Sequence, residues 1–168
     1  MAKSIQFNLR QNDCEIETVR QEGSNFLKSH GFSEDTVETQ MTILHQLICS
    51  GRKFDNLVAS QKEMKVLLLI EENSIIVEVS KPIDESSYDR IDELDKTIQS
   101  MRSWGYQESF KSHAIEYREP SSDNSQDFKA DGFELAKILY EEGAVIDFYV
   151  SEDKILNLSA VRNLDGKF

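Results

Sequence analysis

Ile5, Phe7 and Leu9 alternate with polar neighbours, the period of a strand with one buried face. The period then changes. Ile16, Val19, Gly23, Phe26 and Leu27 step by threes and fours, which predicts a helix with one apolar stripe, capped by Asp13 and stopped at Gly31. Val37, Met41, Leu44 and Ile48 mark a second helix, starting at Ser33 or Thr36 and ending at Gly51. Lys65–Ile70 and Ser74–Ser80 are rich in β-branched and aliphatic residues. The short Glu71-Glu72-Asn73 link makes them a hairpin. Pro82 has no N–H for a ladder, so the second of these strands should end there.

Tyr88, Ile91, Leu94, Ile98 and Met101 predict a third amphipathic helix, ended or bent by Gly105. A shorter helix is expected over Tyr106–Tyr117. Glu119–Asp131 is polar and aperiodic and reads as a loop. The stretch Asp131–Leu164 closes the chain. Gly132 opens an apolar helix, Gly143 ends it, and two strands follow, joined by a polar turn at Ser151–Lys154. Hairpins give antiparallel pairs, and the intervening helices must cover a sheet face. The expected fold is therefore an α/β two-layer sandwich: a mixed, largely antiparallel sheet with helices on one face, in one domain spanning 1–168.

The chain's 168 residues suit that one domain. A net charge of -12 repels phosphate backbones and anionic lipid, so neither nucleic acid nor membrane is an expected partner. The apolar run Val66–Ile70 is too short to cross a bilayer, and the first ten residues lack an apolar signal core. A cytoplasmic location is expected. The two cysteines, Cys14 and Cys49, form no CxxC pattern and read as reduced thiols.

In element order the chain resembles the GHKL (Bergerat-fold) ATPase superfamily, and within it the small anti-sigma-factor serine kinases. The resemblance rests on a strand and two helices before a hairpin, then a loop placed like an ATP lid. A glycine-led helix and a closing hairpin complete it. The insert Tyr88–Tyr117 is similar to that of regulators in the superfamily that have lost catalytic residues. Counting back from Gly51, the resemblance puts the magnesium-binding asparagine on Gln46 and the base glutamate on Thr42. It puts the adenine-binding aspartate on Ser80, a following glycine on Pro82, and the late glycine turn on Gly132, with Leu135 matching and Glu134 replacing a glycine.

Each departure weakens nucleotide chemistry. Glutamine's longer arm misplaces an oxygen for octahedral magnesium. Threonine is no general base at neutral pH. Serine bonds an adenine amine more weakly than a carboxylate. Glu134 sets a negative charge where triphosphate would approach, opposing it by roughly 4 kcal/mol at ~4 Å and an effective dielectric near 20. That weakens binding by about three orders of magnitude. The expectation is a regulator without catalytic residues, with Gln46, Ser80 and Gly132 as a remnant nucleotide pocket and no resident cofactor or metal. It would bind a protein in bacterial partner switching: a STAS-domain anti-anti-sigma protein, a response regulator or phosphatase, or a sigma factor. A homodimer stays open. The alternative is an active ATP- and magnesium-dependent serine kinase, with Gln46 on the metal and Ser80 on adenine.

Other clusters carry less. His45 and Cys49 lie one helical turn apart, a possible half of a zinc site or a cysteine–histidine pair in an unrelated α/β enzyme. Asp92, Glu93 and Asp95, and the pair Glu141 and Glu142, fall mainly on polar helix faces and read as solvated surface. Trp104 and Tyr106 suit either an interface anchor or a small core.

Overall fold

A computed structural model describes residues 1–10, 13–52, 63–104 and 142–164. In chain order the elements are β1 (Lys3–Leu9), α1 (Asp13–Ser29), α2 (Glu34–Arg52), β2 (Met64–Ile70), β3 (Ser74–Pro82), α3 (Tyr88–Trp104), β4 (Ala144–Val150) and β5 (Ile155–Asn163). The strands form one five-stranded sheet in the order β1-β2-β3-β5-β4. Every described ladder is antiparallel, which corrects the expectation of a mixed sheet. The reason is the closing hairpin. It inserts its return strand β5 between β3 and β4, so β4 runs in the same direction as β3 without touching it. The result is an α/β fold of two layers. The expected helices over Tyr106–Tyr117 and from Gly132, and the loop Glu119–Asp131, lie outside the described residues.

Local chemistry explains the element ends. At the end of α1, Gly31 takes φ +85. The Phe32 N–H donates to the Leu27 carbonyl at 3.3 Å and the Gly31 N–H to that of Lys28 at 3.0 Å, a left-handed glycine stop. Ser33 caps α2, accepting from the Thr36 N–H at 3.3 Å. A 3-10 turn at Glu85–Ser87 leads into α3, with Asp84 accepting from the Ser86 N–H at 3.0 Å. The β4–β5 turn closes through the Ser151 N–H, which donates to the Ile155 carbonyl at 2.9 Å. β3 does end at Pro82. α2 ends at Arg52, one residue past the expected stop at Gly51, and Gly51 itself is buried.

Strand alternation sorts the sheet into two faces. Phe7, Leu9, Met64, Val66, Leu68, Ile75, Val77, Val79, Leu156, Leu158, Ala160, Ala144 and Ile146 are buried in one apolar cluster. That cluster also takes in Val37, Leu44, Leu47 and Ile48 of α2 and Ile91, Leu94 and Ile98 of α3. Gly23 of α1 sits against Met41 and Leu68, and Gly51 against Met64 and Val79, so α1 and α2 cover this face. The other face carries a row of aliphatic side chains, Leu69, Ile76, Val161 and Val145, paired strand to strand. Val145 is 43% exposed, as befits an edge strand of an antiparallel sheet with one face toward solvent. No described helix is long and apolar enough to cross a membrane.

Candidate functional site on the flank of α2

Gln46 and Ser50 are one turn apart on α2, and so project from the same flank. The Gln46 Oε1 and the Ser50 Oγ are both buried with no hydrogen-bond partner among the described residues. Thr42, one turn earlier, is satisfied within its own helix, its hydroxyl donating to the Glu38 carbonyl at 3.1 Å. It therefore has its proton committed to the helix.

Ser80 is elsewhere. The Val79 side chain faces α2, since a Cβ built on Gly51 would lie 3.1 Å from Val79 Cγ1. Its neighbour Ser80 must point the other way. Its hydroxyl donates to Asn157 Oδ1 at 2.7 Å, and Asn157 Nδ2 donates to the Ile155 carbonyl at 3.1 Å. Gln46 and Ser80 thus lie on opposite sides of the sheet and do not share a pocket. Pro82 follows Ser80's face as the last residue of β3, opposite Ile155. Gly132, Glu134 and Leu135 lie outside the described residues.

The residue that does point inward at the end of β3 is Lys81. It is 2% exposed and continues the buried series Ile75, Val77 and Val79. The series itself was the available signal: three apolar residues at period 2 carry the fourth place, a lysine, to the same face. Burial, and then the positive charge of Arg52, push the Lys81 ammonium down to about 8. Arg52 lies in the last turn of α2, where the final carbonyls carry partial negative charge.

The sign of the resulting pH effect is fixed. In the unfolded chain lysine titrates at its ordinary 10.5, and in the folded protein Lys81 titrates at about 8. Between those values only the unfolded chain holds the proton, so this group makes stability rise with pH across the window. Below it, both states are charged, and the folded protein holds the ammonium at a site that disfavours its charge. Lys81→Met, similar in length and uncharged, should be more stable than wild type at pH 7. Its advantage should shrink steadily from about pH 8 to pH 10 as wild type sheds the proton. Urea midpoints for both proteins across that range measure the gap, and a constant gap would refute the assignment.

The remaining clusters have ordinary explanations. Cys49 Sγ lies 3.6 Å from His45 Nε2, so the expected pair is real. Among the described residues, however, no three potential metal-binding side chains converge. His30 packs at a tilt against Phe26, 4.5 Å between ring centroids, with its Nδ1 2.7 Å from the Phe26 carbonyl, a helix-end packing role. Asp92, Glu93 and Asp95 are exposed, as expected. A surface hollow of about 480 Å³ between α1 and α2, lined by Arg20, Lys28, Glu34 and Glu38 among others, is formed mostly by exposed side chains of both signs. Comparison of the chain with protein-family models and with curated proteins finds no match in either.

Proposed function

We propose that this protein is a non-catalytic regulator with a GHKL-like fold and a degenerate ATP site, acting by protein–protein binding in bacterial partner switching. The observation that carries this reading is Lys81. A ligand held between α2 and the sheet meets only inward-facing residues. At the end of β3, where the resemblance implies an adenine-binding carboxylate, the inward residue is a buried ammonium. An ammonium donates hydrogen bonds and accepts none, so it cannot take the proton of an adenine amine. Its charge also repels the divalent metal that such a site needs.

The element order supports the reading further. A strand and two helices precede the β2–β3 hairpin, and the β4–β5 hairpin closes the chain beside β3. That is the sequence of elements on which the resemblance rests. The partners it implies are a STAS-type anti-anti-sigma protein, a response regulator or phosphatase, or a sigma factor.

Isothermal titration with ATP, with and without magnesium, is the test of the non-catalytic half. The expected outcome is no metal-dependent heat. Tight binding that needs magnesium would sink the proposal. Affinity capture of a STAS-domain protein, response regulator or sigma factor encoded beside this chain tests the other half.

A further inference from the structure

The buried apolar residues of α1, α2 and α3 all belong to the cluster on one face of the sheet, so none of the described helices covers the other. On that other face Leu69, Ile76, Val161 and Val145 stand in one row. Each is directly opposite the next, across β2, β3, β5 and β4. The first three are half-buried, and Val145 at the edge is 43% exposed. Single apolar residues on a surface need no explanation, but a row across four adjacent strands is contiguous. Three strand spacings make it about 14 Å long.

The row has an acidic flank on each side. β2 and β3 are antiparallel, so two residues onward along each leads to opposite sides of the row. Glu71 is two residues beyond Leu69, and Glu78 is two beyond Ile76. By the period of a strand both share the face of the row. Neither carboxylate has an ion pair or a hydrogen bond among the described residues. The one cation that the described strands place on this face is Lys65, opposite Ser80 and so beyond Glu78.

We infer that this face docks a basic amphipathic helix of a partner protein, its apolar stripe on the row and its Lys or Arg side chains against Glu71 and Glu78. About ten residues of helix span 14 Å and present apolar anchors at i, i+3, i+4 and i+7, with cations on both sides of the stripe. A second copy of this chain fits less well. It would bring a net charge of -12 against -12, with Lys65 as the one cation on its matching strands. The inference deepens the protein-binding half of the proposed function and rests on it in taking a protein as the occupant. The competing account is a solvated sheet face that binds nothing.

The probe is a fluorescein-labelled helical peptide of about 14 residues, with leucines at i, i+3, i+4 and i+7 and lysines elsewhere. A control peptide carries glutamate in place of lysine. Fluorescence anisotropy with the full chain should show binding of the lysine peptide alone, weakening as salt rises. Val145→Lys and Glu78→Lys should each weaken it about tenfold. No binding of the lysine peptide overturns the inference, and so does equal binding of both peptides. Unchanged affinity in both variants also overturns it, because the peptide then sits elsewhere. If Val145→Lys fails to fold, Glu78→Gln decides: an undiminished affinity is fatal. Sedimentation velocity of the chain alone covers the other occupant: a wild-type dimer that Val145→Lys dissociates would assign the face to a second copy and overturn the inference. A partner captured equally by wild type and Val145→Lys would refute this face while leaving the regulatory reading standing.

Discussion

Gly51→Val is expected to destabilise the protein by about 3 kcal/mol, lowering Tm by about 6–12 °C for a chain of this size. Gly51 is not at a turn and does not adopt a positive φ. It is the point of closest approach between α2 and the sheet, with a built Cβ 3.1 Å from Met64 Cε and from Val79 Cγ1. The two neighbours differ in what they can yield. Met64 Cε is the tip of a flexible chain and can swing aside. Val79 is β-branched, held at one rotamer in a central strand and 1% exposed, so it cannot.

One added methyl is therefore a near balance. Gly51→Ala gains up to about 1 kcal/mol of helix propensity and loses a similar amount to the crowding. Two further methyls have no room and must lift the end of α2 from β3. Urea unfolding of wild type, Gly51→Ala and Gly51→Val is the measurement. Equal stability of the three would show that this end of the helix is not pinned.

Gln40→Met should do the opposite and stabilise by about 2 kcal/mol, raising Tm by about 4–8 °C. Gln40 shares a stripe with Leu44, Leu47 and Gly51, and is 0% exposed with neither end of its amide paired among the described residues. Burying an amide without hydrogen bonds costs about 1–3 kcal/mol by mutational measures. Methionine has nearly the same length and helix propensity and carries no such cost. A loss of stability in Gln40→Met would mean that the amide holds a partner in solution, a buried water being the simplest. Either sign is informative, because it tells whether the row of unpaired groups on α2 is tolerated strain or an occupied site.

Much of the architecture was legible in the chain. The alternation Ile5, Phe7, Leu9 and the stripe Val37, Met41, Leu44, Ile48 mark elements that form as expected, because both periods follow from backbone geometry that each segment carries by itself. The stops at Gly31 and Pro82 were legible for the same reason: one supplies a left-handed residue and the other removes a donor. Gly51 was read as the stop of α2, which ends one residue later at Arg52, but its missing side chain also makes room for β2 and β3, which no local pattern reveals.

The candidate site was legible only in part. Gln46 was reached by counting back from Gly51, and its side-chain oxygen is buried with no hydrogen-bond partner among the described residues. Ser80 was reached by the same counting but lies one residue off the inward register, and a one-residue step turns a strand side chain to the opposite face. Lys81 was passed over, although the apolar series before it already indicated its direction. Ser50 carries no sequence signal at all, because a helical serine normally satisfies itself.

Among the described residues, the sequence by itself determined which segments are helices and strands, where most of them end, and that two hairpins must make an antiparallel framework covered by helices. Those outcomes depend on local dihedral preference and on the period of apolar residues. Only the tertiary structure decided that β5 lies between β3 and β4, that Gly51 is a close contact with Met64 and Val79, and that Lys81 is buried at the end of β3. Burial, and the pKa and hydrogen-bonding deficits that come with it, belong to what packs against a residue, and that is a property of the assembled layers.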